Sequence, residues 1–101
     1  MNEHILQSYI DNITMHYGVS QEFIFSEGRK REKTEPRNLF FYLSRKKGIP
    51  MVTVQKFLLK KGYDLKQSNI YKTLKSLSEK IDNDKDYEPL IKKLEKITAN
   101  V

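Results

Sequence analysis

The sequence predicts an all-α fold: a compact bundle of about five to six helices that includes a helix-turn-helix. Three observations carry this. Apolar residues recur at spacings of three and four, and no segment alternates for long with the period of two that a strand needs. Glycines and prolines fall between the periodic segments, where they stop one helix or start the next. The 101 residues suffice for one domain with one modest core, so residues 1–101 read as a single domain.

The elements follow in order. Ile5, Leu6, Tyr9, Ile10 and Ile13 put an amphipathic helix over 3–17, which Gly18 stops. Ser20 caps a short second helix carrying Phe23, Ile24 and Phe25, and Gly28 ends it. Residues 29–36 are polar and basic with no apolar anchor, which predicts an exposed loop. Pro36 suits the first turn of the next helix, where a missing N–H costs nothing. Leu39, Phe40 and Leu43 then predict a helix over 36–46 ending at Gly48. Pro50 opens a helix with Val54, Phe57 and Leu58, and Lys60, Lys61 and Gly62 suit its end. Residues 63–66 form a turn. Ile70, Leu74, Leu77 and Ile81 give a longer helix opened by Gln67 or Ser68, broken at Asn83 and Asp84. A last helix over about 87–98 buries Leu90, Ile91, Leu94 and Ile97.

Charge is segregated along the chain. All four arginines, Arg29, Arg31, Arg37 and Arg45, lie in one window. Residues 1–28 carry no Lys or Arg, whereas residues 29–75 carry fourteen against three acids. A central positive block is the footprint expected for binding phosphates. Arginine's planar fork suits phosphate oxygens and narrow electronegative grooves. Helices 50–61 and 67–81 with the glycine-containing turn between them have the form of a helix-turn-helix, whose second helix reads DNA. With its apolar stripe inward, that helix turns Lys66, Gln67, Asn69, Lys72, Thr73 and Ser76 outward. Gln and Asn can pair with adenine, and Lys can reach guanine or phosphate.

Residues 16–43 carry a family resemblance. A tyrosine-ended helix, a short helix ending in Ser, an R-x-R loop (Arg29–Lys30–Arg31) and Pro36–Arg37–Asn38 at a P-R-Q position precede an apolar helix. This order resembles the C-terminal DNA-binding domain of the bacterial replication initiator DnaA, a Trp-repressor-like all-helical domain, from about Ile10 to Ile97. The resemblance implies Arg29 or Arg31 for the minor groove and Arg37 for the DNA backbone or a base edge. Where that family has G-G-R-D-H-T-T-V, this chain has K-G-Y-D-L-K-Q-S-N-I, residues 61–70. Ile70 takes the Val position, Gln67, Ser68 and Asn69 replace His-Thr-Thr, and the turn is longer, so a different sequence specificity or none is implied. The family's ATPase motif, G-x-x-x-x-G-K-S/T, is absent, and 101 residues leave no room for that domain. The expected DNA-contacting set is Arg29, Lys30, Arg31, Lys33, Arg37, Lys66, Gln67, Ser68, Asn69, Lys72 and Thr73.

The reading that follows is a double-stranded DNA-binding protein, a phage or mobile-element regulator of transcription or replication. It would act in the cytoplasm, on the bacterial nucleoid or in a phage-infected cell. The alternative is a protein-interaction or virion-associated module that keeps the fold without reading DNA sequence. A protein partner or homodimer stays open, and no small-molecule substrate, membrane or cofactor is expected. Without cysteine there is neither a disulfide framework nor a thiolate zinc site. His4 and His16 are too far apart to pair on a metal. The acids Glu79, Asp82, Asp84, Asp86 and Glu88 lack the spacing of a calcium loop. No nucleophile motif appears, so no enzyme is expected. Tyr9, Tyr17, Phe23, Phe25, Phe40, Phe41, Tyr42 and Phe57 read as core; Tyr63 is the exception, since it stands in the turn, where it could be exposed.

Overall fold

The computed structural model describes residues 2–26, 31–65 and 67–96. They form six helices: α1 Glu3–Tyr17, α2 Gln21–Phe25, α3 Arg31–Lys47, α4 Met51–Lys60, α5 Gln67–Asn83 and α6 Tyr87–Leu94. Among the described residues there is no strand. The bundle is all-α, as the hydrophobic periodicity predicts.

The third helix is the hub. It packs against α1, α2, α4 and α5, while α6 closes against α1. Position in the bundle explains its composition: Leu39, Phe40, Phe41 and Leu43 are each at most 1% exposed. Four nearly consecutive apolar residues cannot share one face at 100° per residue, so α3 must be covered on most sides. Ser44 is buried with them and satisfies its hydroxyl by donating to the Phe40 carbonyl oxygen at 2.8 Å. Ile70, Leu74 and Leu77 bring α5 onto this core, with Ile81 partly buried, so the expected inward stripe of α5 is the observed one.

Local chemistry sets most helix ends. The Ser20 hydroxyl accepts from the Phe23 N–H at 3.1 Å, capping α2. Gly48 (φ +90°) ends α3, with Ile49 N–H donating to Ser44 O and Gly48 N–H to Arg45 O. Gly62 (φ +94°) ends α4 in the same way, through Tyr63 N–H to Leu58 O and Gly62 N–H to Leu59 O. These paired bonds need a left-handed residue, which glycine adopts without steric cost.

Three expectations are corrected. The exposed loop over 29–36 does not extend to 36, because α3 already begins at Arg31 and Pro36 is buried inside it. Proline forfeits the bond to the carbonyl of residue 32, while Lys33 and Arg37 hold these turns against α2. The last helix ends at Leu94, earlier than 98, because the Asn12 side chain of α1 donates to the carbonyls of Leu94 (2.9 Å) and Lys96 (2.6 Å). Ile97 and Gly28 lie outside the described residues. Tyr63 is partly buried and stacks on Phe25, with ring centroids 5.2 Å apart.

Candidate nucleic-acid interface

The end of α2, the middle of α3 and the turn before α5 meet through three rings. Phe25, the last residue of α2, lies edge-on to Phe40 at 5.5 Å and at 31° to Tyr63 at 5.2 Å. Phe25 stands just before the basic segment, and Tyr63 just before α5. Two stretches more than thirty residues apart in sequence are thus flanked by residues in contact. The turn is fixed from its other side too, where Gln55 of α4 donates its side-chain N–H to Leu65 O at 3.0 Å.

The first turns of α3 sort their charges by face. Lys33 and Arg37, one turn apart, point to α2. The Lys33 ammonium lies 5.2 Å from the Phe23 ring centroid, a cation–π distance. Arg37 donates from Nε to Ile24 O at 2.9 Å and from Nη2 to Ser26 O at 2.7 Å. Half-burial pulls its guanidinium below the usual arginine pKa, since desolvation disfavours the charged form. Glu32 and Glu35 line the other side, beside Tyr17 and Val19 of the α1–α2 corner. The two acids that break up the basic run in sequence are therefore turned toward a different neighbour.

On α5, Lys72, Lys75 and Ser76 are exposed, and Tyr71 is 52% exposed. Gln67, Ser68 and Asn69 form the first turn of this helix and Thr73 lies one turn further on; Arg31 opens α3. Arg29, Lys30 and Lys66 lie outside the described residues. Lys75 and Tyr71 are additions to the expected set. The signal for Lys75 was available: it follows Lys72 by three residues, which places both on one helix face opposite Leu74. Cations elsewhere are partly neutralised, through Lys46–Glu95 (3.0 Å), Lys60–Glu3 (3.1 Å) and Lys92–Glu88 (3.5 Å).

His4 and His16 are both exposed, and the described residues contain no group of three or more His, Cys, Asp or Glu able to hold a metal ion. Among the described residues no helix is long and apolar enough to cross a membrane. No family model, curated protein or solved structure matches this chain.

Proposed function

We propose that this chain is a double-stranded DNA-binding protein that grips the duplex from two sides of one end of the bundle. The arginines at 29 and 31 enter the minor groove, and the N-terminal half of α5, with Gln67, Asn69, Lys72 and Thr73, reads the major groove. The observation that carries the reading is the Phe25–Tyr63 contact. It joins the flank of the arginine segment to the flank of α5, so both can address one ligand. Exposed Lys72 and Lys75 on α5 add phosphate-binding charge to the same helix. The reading carries with it the helix-turn-helix role of α4 and α5 and kinship with the C-terminal domain of DnaA. It also includes service as a phage or mobile-element regulator.

Fluorescence anisotropy with A·T-rich and random duplexes at two salt concentrations tests it. Four to five phosphate contacts lower affinity by about 150- to 500-fold between 50 and 200 mM salt, because each neutralised phosphate releases counterions. Arg31→Ala weakens binding to both duplexes, whereas Asn69→Ala narrows the preference between them if Asn69 reads a base. Absence of binding at low salt sinks the proposal and turns attention to a protein partner.

A further inference from the structure

We propose that Arg37 serves DNA binding from inside the fold, as a positioning residue that fastens α2 to α3, and does not itself touch the duplex. This rests on the DNA-binding reading above. Nε and Nη2 form one edge of the guanidinium, and both donate to carbonyls at the end of α2, Ile24 O and Ser26 O. Carbonyls at a helix end have no partner within the helix, and the planar fork matches two of them at once. Turning that edge toward a phosphate would strip both acceptors of their donor in a half-buried place, which is costly.

The clasp matters because α2 has five residues, far too few to hold a helix alone. Its position depends on what grips it. Arg37 grips the carbonyl end, Lys33 covers Phe23 one turn earlier, and Phe25 passes the placement on to Phe40 and Tyr63. Tyr63 belongs to the turn that leads into α5, and Arg31 lies six residues before Arg37 on the same helix. One side chain thus fixes the relation between the start of α3 and the approach to α5. Binding gains from such pre-ordering because the cost of arranging both contact elements is met before the duplex arrives.

The test is arginine-directed modification of the full chain with phenylglyoxal, read residue by residue by peptide mass mapping, with and without saturating duplex. All four arginines are followed in one experiment and no substitution is needed. The expected result is that Arg37 reacts on the order of tenfold more slowly than exposed Arg45 in the free chain, since reaction requires local opening. DNA slows Arg29 and Arg31 strongly by direct cover, and slows Arg37 only by the several-fold that the clasp contributes to binding, because binding and opening are reciprocally linked. Arg37 that reacts freely in the free chain, or that only DNA protects, overturns the proposal. Anisotropy of Arg37→Lys and Arg37→Met supplies a second arm. A lysine restores a phosphate contact as a point charge but cannot bridge two carbonyls. Both variants should therefore bind several-fold more weakly with the wild-type salt slope. Full rescue by lysine, with a slope lower by about 0.9 in the methionine variant, overturns it. If duplex protects no arginine and the wild type does not bind, the DNA reading itself has failed and the proposal falls with it. A slow Arg37 would then remain as a feature of the fold alone.

Discussion

Replacing Leu74 by alanine tests the facing of α5, on which the interface depends. Leu74 is 0% exposed and sits in the core beneath the outward Lys72 and Lys75. Truncating a fully buried leucine removes its transfer energy and leaves a partly collapsed cavity, a loss of about 3 kcal/mol. A domain of this size is stable by only about 5–15 kcal/mol. At about 4–8 °C per kcal/mol, the melting temperature falls by about 12–24 °C. The control is the same change at Leu59 of α4, which is 55% exposed. That substitution leaves little cavity and installs a better helix former, so it stays within about 0.5 kcal/mol. Thermal melts followed at 222 nm and urea titrations with unchanged m-values measure both. If Leu74→Ala melts within a few degrees of wild type, α5 is rotated from the facing described. Lys72 and Lys75 then do not share the outer face, and the interface argument fails with them.

Ser20→Ala removes the α2 cap and costs about 1 kcal/mol, seen as a lower melting temperature that Ser20→Asp restores. Gly48→Ala costs about 1–2 kcal/mol; an added Cβ meets nothing within 4 Å, so the loss is backbone strain at φ +90°, and an unchanged melting curve would contradict it. The Glu3 carboxyl is held below its usual pKa by its hydrogen bond and charge attraction with Lys60. A depressed carboxylate contributes stability above its unfolded pKa and loses it as pH falls through its folded pKa. Glu3→Gln therefore lowers the melting temperature slightly at neutral pH, and the gap closes in acid and in high salt; a gap that grows in acid would refute the pairing. Lys75→Ala weakens DNA binding equally on specific and random duplexes and lowers the salt slope by about 0.9, as anisotropy across a salt series will report.

The stripes of α1 and α5, the cap at Ser20 and the glycine stops were legible in the sequence. Each depends on residues a few positions apart, and helical periodicity or a short hydrogen bond expresses it directly. The concentration of arginine was legible for the same reason: it is a property of the chain order itself. Lys75 was legible too, through its spacing from Lys72.

The start of α3 was not legible. Residues 31–36 hold a proline and no apolar periodicity, yet they are helical because Lys33 and Arg37 find partners on α2. The end of α6 was hidden likewise, since it depends on Asn12, more than eighty residues away in sequence. Tyr63 looked exposed because nothing near it in sequence reveals Phe25. The role of Arg37 shifted most: read along the chain it is one cation in a basic run, and folded it is a clasp on α2. The sequence alone determined where the helices lie, apart from the start of α3 and the end of α6, and where charge accumulates. Tertiary structure decided which of those charges the fold itself uses, because a side-chain donor is committed by the nearest acceptor in space, and spatial neighbours exist only once the helices have packed.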